Sequence, residues 1–398
     1  MWRLSCVPVV LALLLAGCSP RKVPAVVEDL LAEARKELAP DRRTAVFAVV
    51  PTRQGDAILL TGEVHDGRMK ERLLATLKAK SDFRYIDSIT VLPHPALGEK
   101  TFALVSVSVA NIRAKGGHKA EMVTQARLGT PLRILKKESG WYFVQMPDDY
   151  LGWTKDVAHL MTGAELAEWA ARPKLMVTAR LGYTRQSSAP ASTVVGDIVA
   201  GSLLELRKTL PDGYEVGYPD GRTAFLEKSA GMPFDAWLAR AKDSPENIVA
   251  TARTFFGVPY LWGGTSAKGF DCSGFTSTVY WLNGTLLPRD AGQQWDVGEA
   301  VDTSNGFANI RPGDLVFFGD GETSGGRASI DHVGISLGGG TFIHAPSSGG
   351  LGIRTNSLIP GEPEYSASLR EAFLGARRMI GNGVHRLAST PYYNGHAY

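Results

Sequence analysis

Hydrophobic residues follow two different periods along this 398-residue chain, and the period changes several times near its start. Alternation of apolar and polar positions predicts strands, and apolar residues three or four apart predict helices. The predicted elements are a helix at 23–38, strands at 45–50 and 57–64, a helix at 68–80 and a strand at 85–92. This order predicts a small α+β unit over residues 41–98.

The helix-strand-strand-helix-strand order, with Leu60-Thr61-Gly62-Glu63-Val64, resembles the BON domain of exported envelope proteins. A small α+β spacer without chemistry of its own is the alternative.

An internal repeat with an offset of about seventy residues follows. Each copy has short alternating strands between turn residues and ends in a helical segment, near Ala164 in one and Asp235 in the other. Both copies resemble bacterial SH3-like barrels, and we expect them over residues 101–160 and 174–232. Such barrels bind or position wall peptides. The second copy lacks the aromatic pair of the first, so a purely structural role stays open for it.

A cysteine lies where the pattern predicts the start of a buried helix. Ser244 and Pro245 are typical of a helix start, and the helix that they open is expected to end at Gly257. A second helix is expected from Cys272 towards Leu282, with Asp271 as its cap. A thiol on the first helical turn lies at the positive end of the helix dipole, so we expect a lowered pKa and a nucleophilic thiolate.

Two histidines flank a predicted hairpin around three consecutive glycines. A three-residue loop at 337–339 would set His332 and His344 directly across from each other on one face. A two-residue loop would separate them, unless a bulge compensates. We therefore expect His332 to act as a general base for Cys272 and His344 to orient it.

The first twenty residues have the character of an export signal. A short apolar run leads to Leu15-Ala16-Gly17-Cys18, which resembles a lipobox in which Cys18 is lipidated after residues 1–17 are removed. Cys6 is then lost, and no disulfide partner remains for Cys272. Ser19 favours the outer membrane over the inner. An ordinary secretory signal with a chance cysteine is the alternative. Residues 18–40 are expected to form a tether and helix.

Composition changes this picture little. A net charge of +3 gives no reason to expect nucleic acid as a partner, and no second apolar run is long enough to span a bilayer. The hydrophobic fraction of 44% is sufficient for several packed domains, and the 44 glycines favour turns and β structure. We expect an α+β protein with a catalytic domain over residues 244–384 and a loose tail over residues 385–398.

Six blocks in the C-terminal part resemble the NlpC/P60 family of papain-like cysteine peptidases. They are Tyr260-Leu261-Trp262-Gly263-Gly264, Phe270-Asp271-Cys272-Ser273-Gly274-Phe275, Leu287-Pro288-Arg289, Arg311-Pro312-Gly313-Asp314-Leu315-Val316-Phe317-Phe318, His332-Val333-Gly334-Ile335 and Phe342-Ile343-His344-Ala345.

The resemblance implies a catalytic set of Cys272, His332 and His344 and an oxyanion stabilised at the start of the Cys272 helix with help from Tyr260. It implies that Asp271 and Ser273 line a D-glutamyl subsite, and we add Trp262 to the substrate-binding residues. The resemblance implies no metal or other cofactor. A zinc site at the two histidines and the thiol is the weaker alternative, since no other ligands are closely spaced.

The paired barrels narrow the resemblance to γ-D-glutamyl-L-diamino acid endopeptidases, also called dipeptidyl-peptidase VI-like, which recycle muropeptides with a free N-terminal L-alanine. In that group an acid after the Leu-Pro-Arg block holds the substrate ammonium, which implies this role for Asp290. A helix cap is the alternative for Asp290. The first barrel then implies Glu121 and Tyr150 as substrate contacts, and Ala291 replaces a serine that is frequent in the group.

Three functions stay open from the sequence. One is release of L-Ala-γ-D-Glu from free muropeptides, the second is cleavage of intact peptidoglycan stems, and the third is non-catalytic wall binding. The sequence does not decide between meso-diaminopimelate and lysine as the diamino acid.

Overall fold

The computed structural model describes residues 22–322, 328–381 and 385–387. It divides into two compact units, one ending at Leu92 and one beginning at Pro93. The predicted signal peptide at 1–17 and the predicted lipidation residue Cys18 lie outside the described residues. In the part of the chain that is described, no helix is both long and apolar enough to cross a membrane.

The first unit has the predicted order of elements. They are α1 (Ala25–Leu38), β1 (Phe47–Gln54), β2 (Ala57–Val64), α2 (Gly67–Lys80) and β3 (Arg84–Val91). The β1 and β2 strands pair antiparallel, whereas β2 and β3 pair parallel because α2 carries the chain across. Asp66 caps α2 through the Met69 N–H at 2.8 Å. Apolar residues of both helices and of β2 form the core, which confirms the helical spacing read from the sequence.

The second unit begins with two barrels of the same topology, which confirms the repeat. The first barrel contains β4 (Phe102–Val105), β5 (Val109–Arg113), β6 (Met122–Arg127), β7 (Pro131–Glu138), β8 (Trp141–Gln145), β9 (Leu151–Thr154), β10 (Val157–Met161) and α3 (Gly163–Ala171). The second contains β11 (Lys174–Val177), β12 (Leu181–Arg185), β13 (Val194–Val199), β14 (Leu203–Thr209), β15 (Gly213–Gly217), β16 (Thr223–Glu227), β17 (Gly231–Pro233) and α4 (Phe234–Arg240). Their strand orders, β10-β4-β7-β8-β9-β5-β6 and β17-β11-β14-β15-β16-β12-β13, correspond strand for strand.

The catalytic domain follows. Its elements are α5 (Pro245–Arg253), β18 (Thr265–Ser266), β19 (Gly269–Phe270), α6 (Cys272–Leu282), β20 (Thr285–Leu286), α7 (Ala291–Trp295), β21 (Glu299–Val301), β22 (Leu315–Glu322), β23 (Ala328–Gly338), β24 (Thr341–His344), β25 (Arg354–Ser357), α8 (Ala367–Ala372), β26 (Phe373–Arg378) and β27 (His385–Arg386). One sheet has the order β21-β26-β22-β23-β24-β25. Apolar residues of α5, α6 and this sheet share one core, so the Cys272 helix packs on the strands that carry the histidines.

Two boundaries differ from the sequence expectation. The α5 helix ends at Arg253, and a turn then leads to Gly257, which has φ +77°. The expected loose tail begins later than residue 385, because β27 pairs with β20 and Leu387 is buried. Residues 388–398 lie outside the described part of the chain.

Candidate active site

The first turn of α6 rests directly on the backbone of the Trp-Gly-Gly block. A Cβ atom at Gly274 would lie 2.0 Å from the Gly264 carbonyl oxygen, so no side chain fits there. The same carbonyl accepts the Asp271 N–H at 3.1 Å. Gly263 has φ +74°, a conformation that favours glycine. These glycines let the helix start lie against the preceding loop, which positions Cys272.

Asp271 is the cap predicted for this helix. One carboxylate oxygen accepts the Gly274 N–H at 2.6 Å and the other accepts the Gly263 N–H at 3.0 Å. Arg289 donates to both oxygens, at 3.1 and 2.6 Å, and this pair is almost fully buried. Burial alone would lower the pKa of Arg289, but the charge of Asp271 and these bonds raise it above its usual value. The ion pair therefore fixes the helix start.

Arg289 also joins the catalytic domain to the first barrel. Its Nε donates to the Thr124 hydroxyl at 2.8 Å, and a terminal nitrogen donates to the Ser273 hydroxyl at 3.0 Å. Ser273 and Asp271 are buried, and their side chains bind protein partners. Their predicted contact with substrate stays a prediction, and the structure shows them positioning Cys272. The sequence identified Arg289 only as part of a motif and missed this linking role.

The Cys272 thiol is less acidic than expected. The backbone N–H groups of Val333, on β23, and Ser273, on the first turn of α6, favour the thiolate, and the second is the effect predicted for a helix start. Burial and the neighbouring Asp271 carboxylate outweigh them and raise the pKa of Cys272 to about 12. The expectation of a lowered pKa was wrong, because the dipole argument neglected burial. In this state the sulfur carries its proton and needs a base.

His332 and His344 contact each other on one face of the sheet. His332 Nε2 and His344 Nδ1 are 2.6 Å apart. The two residues are not directly opposite, since Ile335 pairs with Ile343 and the register shifts between Ser336 and Gly338. The predicted three-residue loop was wrong, and the alternative of a bulge with a shorter turn is what the structure shows.

Gly334 makes this diagonal contact possible. A Cβ atom there would lie 2.8 Å from the Phe342 ring and 3.2 Å from the His344 Cβ. Any larger residue would push β24 away from β23 at this point. The glycine of the His-Val-Gly block thus lets the His344 ring approach His332.

Asn356 on β25 extends the pair, and no sequence pattern predicted it. Its side-chain oxygen lies 2.9 Å from His344 Nε2, and its amide donates to the Glu364 carbonyl at 2.8 Å. This orientation leaves the oxygen as the acceptor, so the bond assigns the proton of His344 to Nε2. His344 Nδ1 then accepts from His332 Nε2. The remaining nitrogen of a neutral His332, Nδ1, is the one left to act as a base.

Both histidines are neutral at ordinary pH. Burial, followed by the charge of His344, lowers the pKa of His332 to about 3. Burial also lowers the pKa of His344 to about 4, and its bond to Asn356 opposes this shift. A protonated thiol beside a neutral imidazole fits general-base catalysis, in which the proton moves as the sulfur attacks.

Tyr260 is held beside the nucleophile. A backbone bridge joins it to Phe270, two residues before Cys272. Burial first, and then the charges of Cys272 and Asp271, raise the pKa of Tyr260 above its usual value. Its phenol therefore keeps its proton and is available as a donor, which supports the predicted role at the oxyanion.

The two predicted substrate contacts of the first barrel, Tyr150 and Glu121, each bond to a residue of the catalytic domain. Tyr150 donates its hydroxyl to an Asp290 carboxylate oxygen at 3.0 Å. The Trp262 indole donates to Glu121 at 2.9 Å, and 62% of Trp262 is exposed. Asp290 also caps α7 in a capping box with Gln293, so the alternative role as a cap is confirmed. The structure thus brings barrel residues to the catalytic domain at two places.

Metal ligands do not cluster anywhere in the described ranges, where no three side chains of His, Cys, Asp or Glu are arranged to hold a metal ion.

A thiol at a helix start and a paired histidine oriented by an amide are the components of a cysteine peptidase. Comparisons with known proteins agree. The NlpC/P60 family matches residues 257–365, and the bacterial dipeptidyl-peptidase Sh3 domain matches residues 112–156. The chain belongs to the NlpC/P60 family and is a cysteine peptidase.

Individual relatives support this assignment over most of the second unit. A γ-D-glutamyl-L-lysine dipeptidyl-peptidase of Bacillus cereus is 31% identical over 271 residues, covering 65% of this chain and 76% of the relative. Dipeptidyl-peptidase 6 of Lysinibacillus sphaericus is 29% identical over 283 residues, covering 67% of this chain and 95% of the relative. A crystal structure of an NlpC/P60 family protein from Bacillus cereus superposes with a TM-score of 0.59 at 25% identity, covering 70% of this chain and all of that one. The similarity supports a peptidase of peptidoglycan-related peptides.

Proposed function

We propose that this protein hydrolyses the bond between γ-D-glutamate and an L-diamino acid in peptidoglycan-derived peptides that have a free N-terminal L-alanine. The observation that carries this proposal is the bond from Tyr150 of the first barrel to Asp290 of the catalytic domain. It places a carboxylate where the barrel meets the nucleophile's domain. A carboxylate there attracts a free ammonium and gains nothing from the amide of an intact wall stem.

The site supports the following reaction. The Cys272 thiol gives its proton to His332 as the sulfur attacks the γ-carbonyl carbon of D-glutamate. Backbone N–H groups at the start of α6 and the Tyr260 hydroxyl stabilise the oxyanion. His332 then protonates the leaving α-amine of the diamino acid, and a thioester remains. Water gives a proton to His332 and hydrolyses the thioester, which releases L-Ala-γ-D-Glu and restores the thiol.

The test compares L-Ala-γ-D-Glu-meso-diaminopimelate with the same peptide acetylated at its N-terminus, using mass spectrometry to follow products. We expect the free-amine peptide to be cleaved about 10–100-fold more efficiently, because a charge-assisted bond is worth roughly 1.5–3 kcal/mol. Asp290→Asn should remove most of this preference. Asp296→Asn, at the other end of α7, is the matched control and should keep it.

Each outcome decides between the functions. Equal cleavage of both peptides would favour an enzyme that cuts intact stems. Cleavage of neither peptide would show that the peptidase hydrolyses a different bond. Cys272→Ala should abolish hydrolysis while leaving the thermal unfolding midpoint close to that of the wild type.

For the location we propose an envelope lipoprotein that is anchored through Cys18, in the outer membrane rather than the inner. The support is the lipobox-like segment Leu15-Ala16-Gly17-Cys18. Metabolic labelling with a fatty acid should mark the wild type, and Cys18→Ser should lose both the label and membrane association. An unlabelled wild type, found in the soluble periplasmic fraction, would contradict this part of the proposal.

A further inference from the structure

An arginine on β25 lies beside the catalytic histidines. Residue Arg354 of β25 pairs directly with His344 of β24. Side chains of a strand alternate between its faces, so Arg354 and Asn356 share one face. Asn356 contacts the His344 ring, which shows that this is the face of the histidine pair. Arg354 therefore belongs to the same surface as His332 and His344.

The Arg354 guanidinium is held by backbone. Two of its nitrogens donate to the Ser348 carbonyl, each at 3.3 Å. A Cβ atom at Gly349 would lie 2.9 Å from the guanidinium, so the loop after β24 wraps closely around it. Within residues 22–322, 328–381 and 385–387, Arg354 makes no ion pair. A half-buried arginine fixed in this way presents its charge to whatever binds next to it.

The positive charge of Arg354 acts on His344, one of the two catalytic histidines. After burial, the positive charge of Arg354 opposes protonation of His344 and contributes to its lowered pKa. A carboxylate bound to Arg354 would offset this field, because opposite charges a few ångströms apart largely cancel at a distance. The bound carboxylate would thus find a partner and weaken the field that Arg354 exerts on His344, the residue that orients the base.

The course of the proposed reaction decides which part of the substrate meets Arg354. Asp290 and the first barrel hold the N-terminal, acyl side. His332 gives its proton to the leaving amine, so the leaving diamino acid lies beside the histidines. The two candidates for this diamino acid differ at the far end of the side chain. Lysine carries only an ammonium there, whereas meso-diaminopimelate carries an ammonium and a carboxylate.

We propose that Arg354 forms the subsite for the distal carboxylate of meso-diaminopimelate and selects this diamino acid over lysine. The inference rests on the proposed function. It makes Arg354 a specificity residue that the catalytic set does not include.

The test measures kcat/KM for four combinations of enzyme and substrate, namely the wild type and Arg354→Gln with L-Ala-γ-D-Glu-meso-diaminopimelate and L-Ala-γ-D-Glu-L-lysine. We expect the wild type to prefer the diaminopimelate peptide by about 10–100-fold. Arg354→Gln should lose about that factor on the diaminopimelate peptide and gain a few-fold on the lysine peptide, since a repelling cation is removed. Arg354→Lys should keep part of the preference. Arg253→Gln, at an exposed position at the end of α5, is the matched control and should leave kcat/KM on both peptides unchanged.

The failure of each proposal looks different. A wild type that cleaves both peptides equally, or an Arg354→Gln variant that loses the same factor on both, would overturn the role of Arg354 and leave the proposed function standing. A wild type that cleaves neither peptide would overturn both.

Discussion

The two barrels contain the same turn at the same place, and the side chain at the third position of this turn has different partners in each barrel. Before β9, Asp148 accepts the Tyr150 N–H at 3.2 Å. Before β16, Asp220 accepts the Arg222 N–H at 3.2 Å. Tyr150 then reaches out to Asp290, whereas Arg222 folds back onto Asp220 and over the Tyr218 ring. Arg222 also donates to the Ser106 carbonyl of the first barrel at 3.4 Å. The third residue of the turn therefore decides whether the turn contacts the catalytic domain or the neighbouring barrel.

Packing shows the same contrast. The first barrel meets the catalytic domain through polar contacts near the nucleophile, including Gln125 with Thr265. The second barrel meets it mainly through apolar side chains, with Met176 and Leu203 in one cluster with Trp237 and Trp281. The structure thus supports the adaptor role that the sequence left open for the second barrel.

The largest expected effect comes from removing the arginine that links the first barrel to the nucleophile. Arg289→Ala leaves Asp271 buried without its ion pair, so we expect a loss of about 3–5 kcal/mol in the free energy of unfolding. Arg222→Ala breaks the exposed pair of the second barrel and should cost at most about 1 kcal/mol. Urea unfolding measures both. Similar costs for the two variants would break the contrast between the barrels.

The next largest effect is expected in the catalytic domain, at Asn356. Asn356→Ala removes the acceptor that assigns the His344 proton, so we expect kcat to fall by about 10–100-fold with KM little changed. Thr355→Ala, on the other face of β25, should leave kcat unchanged.

The wild-type enzyme should stay active well below pH 6, because the pKa values of His332 and His344 are about 3 and 4. Loss of activity near pH 6.5 would contradict the neutral pair.

Tyr150→Phe isolates the contribution of the first barrel to substrate binding. Without its hydroxyl, Asp290 is less well oriented, and we expect kcat/KM on the free-amine peptide to fall by about tenfold. The matched variant is Tyr218→Phe, whose hydroxyl lies 2.7 Å from that of Thr184 inside the second barrel. It should cost about 1 kcal/mol in stability and nothing in kcat/KM. A reversed result would place the functional barrel second.

The smallest effect concerns the two equivalent aspartates. Burial raises the pKa of Asp148 to about 6, above the value near 4 of the unfolded chain. The folded state then binds this proton more tightly, so its contribution to stability is complete below pH 4 and is lost as the pH rises through 6. Asp148→Asn should therefore be more stable than the wild type at pH 7, with no gain at pH 4.

Asp220 should behave in the opposite way. Burial would raise its pKa, but its bonds to Arg222 lower it below the usual value. Its stabilisation is present at neutral pH and lost as the pH falls through the folded pKa, so Asp220→Asn should be slightly destabilising at pH 7. Thermal unfolding between pH 4 and 7 tests both variants. The same sign for both would show that the turns are electrostatically equivalent.

Local patterns predicted most elements and the three central residues, because helix caps, alternation and glycine turns depend on near neighbours. The caps Ser244 and Asp271 illustrate this. Contacts that depend on distant register were missed. Asn356 meets His344 only because the loop between β24 and β25 sets their pairing, and Arg289 meets Thr124 across 165 residues of chain. Burial was the other source of error, as the raised pKa of Cys272 shows.

One ammonium group lies where three domains meet. Lys268, in the turn between β18 and β19, contacts Ser108 of the first barrel at 2.7 Å and Asp197 of the second at 2.5 Å. Nearby, Arg127 of the first barrel stacks on Trp281. A catalytic domain released from its barrels would expose this tryptophan and lose these partners. These contacts therefore make the three domains one unit, and a cut at the barrel boundaries would expose apolar surface that favours aggregation.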